Sequence, residues 1–259
     1  MDGERRAISR VPEVTVYFWI IKVLTTGMGE TTSDYFIHRA GLKNMVALAG
    51  ITLATGVALA ISLALQFRAR RYVAWTYWLT LVMVSIFGTM AADGVHVVVG
   101  IPYVVSSMFF AVVLAVIFAV WYSSEKTLSI HSIFTSRREA FYWTVVVATF
   151  ALGTATGDMT AITLHLGYFS SGVLFAALIA VPAVGYRWFG LNGIFAFWFA
   201  YVMTRPLGAS FADWLSVPPS RGGLGLGWGW VSITLAILIA GFVGYLSVTR
   251  KDVREDTVV

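Results

Sequence analysis

The sequence predicts an all-α integral membrane protein of eight transmembrane helices, built as four parallel two-helix repeats with approximate four-fold or two-fold symmetry about the membrane normal. Three observations carry that prediction. Of 259 residues, 58% are apolar and only 12% charged, and the mean hydropathy is +0.80; a soluble domain needs about a quarter charged residues to wet its surface. Apolar runs that can cross roughly 30 Å of hydrocarbon, which takes about 20 helical residues, occur eight times. One pattern of Trp, Gly and Asp recurs in every second run.

The runs fall at 13–36, 44–66, 73–95, 103–122, 140–163, 168–186, 190–213 and 227–248, joined by short polar, Gly-rich or Pro-containing segments. The first follows the polar MDGERRAISR, carries Lys22 and Glu30, and lacks an A-x-A-like cleavage site, so no cleaved signal peptide is expected. The second lies between Arg39 and Lys43 on one side and Arg68, Arg70 and Arg71 on the other. The third ends near His96, and the fourth ends at the basic loop holding Lys126, Arg137 and Arg138. The fifth holds Asp158, the sixth ends at Arg187, the seventh contains Arg205, and the eighth precedes Arg250, Lys251 and Arg254.

With an even number of spans both termini share one side, and 13 of the 18 basic residues fall there, against three opposite (Arg39, Lys43, Arg221) and two inside spans. Positive residues mark the cytoplasmic side, so both termini are expected in the cytoplasm. This sorting accounts for the net charge of +5 without nucleic acid; the expected partner is the lipid bilayer and its anionic headgroups. With no cysteine there is no disulfide framework, iron–sulfur cluster or thiolate zinc site, and any metal must use O and N ligands. The expected organisation is a cytoplasmic N-terminus (1–11), one membrane domain (12–250, with repeats 12–72, 73–136, 137–189 and 190–250) and a cytoplasmic C-terminus (251–259).

The repeat is Trp, nine residues, Gly, four residues, Asp: Trp19, Gly29 and Asp34; Trp78, Gly88 and Asp93; Trp143, Gly153 and Asp158; Trp198, Gly208 and Asp213. An aromatic residue precedes each Trp, and the cores read GETTSD, GTMAAD, GTATGD and GASFAD. Each unit is two helices, so all copies enter the membrane in one orientation and the repeats are parallel, not inverted.

The opening VPEVTVYFWIIK, the loop EKTLSIHSI and the stretches FALGTATGD and TRPLGASFAD are similar to those of a bacterial membrane family of uncharacterised function. That family is described as four tandem repeats of two transmembrane regions with a Trp in each. The resemblance covers roughly residues 12 to 250; it implies the repeat architecture and a bacterial inner membrane, and adds little about activity.

Ionisable residues within a membrane face a bundle interior or a water-filled cavity and mark ion pathways. Here Glu30, Asp34, Asp93, Asp158 and Asp213 are offset only by Lys22 and Arg205, a formal charge of minus three that protons, bound cations or entering water must relieve. The alternative is that the Asp residues sit in water at helix ends, although the helix macrodipole disfavours an acid at a C-terminus. A helix broken at the Gly would instead expose backbone groups for ion binding. His38 lies four residues after Asp34 and His96 three after Asp93, spacings that share a helical face and suit a divalent metal or a proton relay. Either could also be a plain loop or interfacial residue.

Lys22 and Arg205 break the repeat and are expected to pair with a buried acid or to hold the carboxylate of a substrate. Trp19, Trp78, Trp143 and Trp198 read as aromatic anchors at the inner headgroup boundary, and the small residues around each Gly as close helix packing. The leading expectation is a secondary transporter or exporter of a cation, a divalent metal first, coupled to protons, with no cofactor required beyond a bound metal ion. Alternatives are transport of a small organic or zwitterionic solute through Arg205 or Lys22, and a structural or signalling protein. No HExxH, GxSxG, P-loop or CxxC pattern supports an enzyme. A retinal Schiff base at Lys22 does not suit eight spans, and primary ATP-driven transport lacks a nucleotide domain. Oligomeric state is left open.

Overall fold

The computed structural model describes residues 9–41, 44–69, 71–94, 96 and 99–253. Arg5, Arg6, Lys43, Arg70 and Arg254, counted above for orientation, lie outside the described residues. The described chain is all-helical, with eight long helices: α1 (Val16–Ala40), α2 (Met45–Arg68), α3 (Ala74–Asp93), α4 (Tyr103–Glu125), α5 (Ser136–Asp158), α6 (Tyr168–Trp188), α7 (Gly193–Ser216) and α8 (Trp228–Thr249). Side-chain caps open four of them: Thr15 accepts from Phe18 N–H, Asn44 from Ala47, Thr135 from Arg138 and Asn192 from Ile194 and Phe195, each satisfying an orphan donor of the first turn. Gly41 at φ 79° ends α1, a conformation that costs glycine no steric strain.

The odd helices close into a ring in which α1 packs on α3 and α7, and α5 packs on the same two. Each even helix lies outside this ring against the odd helix that follows it: α2 on α3, α4 on α5, α6 on α7, with α8 returning onto α1. Composition explains the two layers. The outer helices expose apolar side chains such as Leu53, Ile61, Val112, Val116 and Ile237, and the apolar window of α2 is only 11% buried against 67% for α3 and α5. Six helices (α2, α3, α4, α5 with its continuation, α6 and α8) are long and apolar enough to cross a membrane. The other two, α1 and α7, carry Lys22, Glu30, Asp34, Arg205 and Asp213, and both belong to the ring.

The repeated glycines are where ring helices meet. A Cβ on Gly88 would lie 2.7 Å from Phe150 Cβ, and one on Gly208 would lie 2.7 Å from Thr26 Cβ and 2.9 Å from Val23 O. Gly29 abuts Ser85 and Gly153 abuts Arg205 in the same way. Each glycine thus receives the residue three positions before the glycine of the next odd helix, α7 handing back to α1. Small residues permit such backbone approach between membrane helices.

No helix breaks at these glycines. The irregularity comes one turn later, directly after two of the acids: Gly94 and His96 are in π geometry beyond Asp93, and a π-helical turn, Met159–Thr163, follows Asp158. Such turns widen the helix and free backbone groups. At the other end of the bundle, residues 9–15 cross beneath the ring. Tyr72 N–H donates to Ser9 O (3.0 Å), Arg10 N–H to Ile133 O (3.1 Å) and Glu13 N–H to Asp252 O (2.9 Å). Buried Glu139 holds the segment from above, accepting from Arg10 Nη1 (2.7 Å) and Gln66 Nε2 (2.9 Å). Both described terminal segments therefore meet at one end, called here the terminal end.

Candidate cation site

The face that each odd helix turns into the ring repeats at four-residue intervals, the spacing of one helical face. On α1 it is Phe18, Lys22, Thr26, Glu30 and Asp34. Its counterparts stack into layers: Lys22 with Leu81, Val146 and Tyr201; Thr26 with Ser85, Phe150 and Arg205; Glu30 with Thr89, Thr154 and Ala209. Every side chain of these three layers is buried.

The layer of Glu30 forms a built site. Glu30 Oε2 accepts from Thr89 Oγ1 at 3.3 Å and Thr154 Oγ1 at 3.2 Å, so one carboxylate is held by hydroxyls at the equivalent positions of α3 and α5. One turn nearer the opposite end, Asp93 and Asp213 are also buried, and Asp34 and Asp158 are half-buried. Ser33 Oγ donates to Asp93 Oδ2 at 3.0 Å, while Asp213 Oδ1 and the nearby Ser210 Oγ are buried without a hydrogen-bond partner. All five acids of the sequence reading lie in electrostatic range of one another. Among the described residues no Lys or Arg is hydrogen-bonded or ion-paired to any of them. Arg221, in the loop between α7 and α8, is within electrostatic range of Asp34, Asp158 and Asp213.

Several expectations are corrected by this geometry. Neither Lys22 nor Arg205 pairs with an acid. Lys22 Nζ sits 3.2 Å above the Tyr201 ring with no hydrogen bond. Arg205 stacks 3.1 Å above the Phe150 ring and donates to Thr26 (3.1 Å) and Tyr201 (3.4 Å). The reason is axial: the cations occupy layers on the terminal side of Glu30, whereas the Asp residues lie one turn beyond it. Among the described residues neither His38 nor His96 hydrogen-bonds to an acid side chain, although His38 is within electrostatic range of Asp34. His38 is exposed, bonds through Nδ1 to the backbone oxygen of Asp34 (2.8 Å) and stacks on Trp228. His96 turns to Ile101 O (3.1 Å) and Ser106 Oγ (3.3 Å), and burial pushes its pKa down. Among the described residues no three His, Asp or Glu side chains are grouped as a metal-holding set.

Of the four tryptophans expected as aromatic anchors, three do not face outward from the bundle. Trp78, Trp143 and Trp198 are buried in the core and Trp19 is half-buried. They pack edge-on against Phe18, Tyr77, Tyr142 and Phe197, the aromatic residues before each Trp. These rings plug the terminal side of the ring beneath Lys22, where aromatic contact area outweighs an interfacial position. Sequence reasoning missed Thr89 and Thr154 as ligands of Glu30; their position directly after the repeated Gly is the signal that places them.

An all-helical chain with six apolar helices of spanning length and one motif repeated along its inner helices has the character of a tandem-repeat membrane protein. The chain belongs to the family described as Repeat of Unknown Function (DUF347), which matches residues 17–72, 76–127, 141–190 and 196–252. Each match takes in one ring helix and the outer helix that follows it in sequence. No curated protein and no solved structure matches the chain.

Proposed function

We propose that all eight helices cross the bilayer as four two-helix repeats around a pseudo-four-fold axis, with the terminal end in the cytoplasm, and that the protein is a secondary cation transporter coupled to protons. The cyclic hand-over of glycine contacts around the ring supports the symmetry. The observation that carries the function is that the four ring helices bring five carboxylates into electrostatic range of one another without a bonded basic side chain, two of them, Glu30 and Asp93, being held by hydroxyl donors. Uncompensated acids in an apolar bundle need a proton or a cation. With both histidines turned away, the ligands are oxygens only, which suits a hard ion such as manganese rather than zinc. Glu30 lies one turn deeper than the four Asp residues, of which Asp34 and Asp158 are half-buried, so the acids form a path from the opposite end toward Glu30. The aromatic plug and the cationic layers close the terminal side.

Flux in proteoliposomes tests this. An inward manganese gradient across vesicles carrying the protein should drive opposed proton movement, read by a trapped pH dye, above that of protein-free vesicles. Equal rates in the two would overturn the transport reading.

A further inference from the structure

The aromatic core holds two basic side chains for which the acids account in no way. Lys22 and Arg205 are 0% and 1% exposed, and both lean on the ring of Tyr201, at 3.2 and 5.3 Å from its centroid. They come from facing stripes of adjacent helices: Lys22 and Thr26 are one turn apart on α1, Tyr201 and Arg205 one turn apart on α7. Phe150 of α5 covers the guanidinium, and Tyr142 OH stands 3.5 Å from Tyr201 OH. No carboxylate bonds to either cation among the described residues. Lys22 Nζ and Arg205 Nε have no hydrogen-bond partner at all.

Aromatic faces soften a buried positive charge, but they leave N–H donors unpaired. When both groups are protonated, two like charges leaning on one ring in a low-dielectric core also repel each other. A counter-anion resolves both problems at once. We propose that Lys22 and Arg205, with the Tyr201 hydroxyl, form a binding site between α1 and α7 for a small monovalent anion of chloride size. The surrounding side chains are fully buried, which selects against an organic carboxylate with a bulky tail. The site lies on the terminal side of Glu30 and is distinct from the acid cluster. It does not depend on the transport reading.

The test is a chloride titration of the full chain, purified in gluconate at constant ionic strength, followed by calorimetry and by the thermal midpoint. Saturable chloride binding is expected for the native protein. It should weaken about tenfold or more in Lys22→Met and in Arg205→Gln, each of which removes a charged donor. Asp213→Asn, two turns away on α7 in the separate acid cluster, should bind chloride as the native protein does. Where Arg205→Gln fails to give a monodisperse helical protein, Lys22→Met and Tyr201→Phe decide the matter. No saturable response in the native protein, or an undiminished one in Lys22→Met, overturns the proposal. Manganese titrated into the same samples reports on the acid cluster separately.

Discussion

Replacing Glu30 by Gln is expected to lower manganese-driven proton flux by roughly a hundredfold, the scale of losing one strong interaction of a charged group with its ligand. Glu30 is the single acid of its layer, its counterparts being Thr89, Thr154 and Ala209, so no equivalent carboxylate can take over. The variant keeps the volume and an oxygen acceptor for both threonine hydroxyls, so packing should survive and the loss reports chemistry. Thr89→Val and Thr154→Val each remove one hydroxyl donor to the carboxylate and should change the rate about tenfold. The check is vesicle flux beside size-exclusion profiles of each variant. A Glu30→Gln protein with native flux would remove the axial carboxylate from the mechanism.

The largest structural effect is expected from Gly153→Val. A Cβ at Gly153 meets the side chain and backbone of Arg205, with the carbonyl carbon at 3.3 Å. Backbone cannot rotate away as the end of a flexible side chain can, so α5 and α7 must separate. Overpacking of this kind costs about 3 kcal/mol, and here it also dislodges Arg205 from Phe150. Gly50→Val is the control, since Gly50 is exposed on α2 with nothing within 4 Å. Thermal unfolding monitored by circular dichroism should show a large drop for Gly153→Val and little change for Gly50→Val. Equal midpoints would mean that the glycine contacts do not hold the ring.

The helices and the role of the glycines were legible in the sequence because both rest on spacing. Apolar runs give helix length, and a Gly repeated with small neighbours reads as close packing whatever surrounds it. Which helices pack together was less legible. The repeat pairs α1 with α2 in sequence, yet α2 packs chiefly on α3, and a short loop permits either choice. Trp78, Trp143 and Trp198 misled because an amphipathic ring suits both a headgroup boundary and an aromatic core, and only tertiary packing separates the two. Lys22 and Arg205 stood out as charges that break the repeat, but nothing in spacing says that α7 brings Tyr201 under Lys22. His96 shared a helical face with Asp93 only while the helix stayed regular, and His38 keeps its place one turn after Asp34 but turns its ring outward. The π geometry after Asp93 and the stacking of His38 on Trp228 carry both rings elsewhere.

Calorimetric titration of manganese into the detergent-purified protein, repeated across pH and in buffers of different ionisation enthalpy, tests the acid cluster most directly. The cluster predicts saturable binding accompanied by proton release, lost when Asp93 and Asp158 are both replaced by Asn. Absence of saturable binding and of proton release at every pH, or binding undiminished in the double variant, would contradict the assignment of these carboxylates as a cation site.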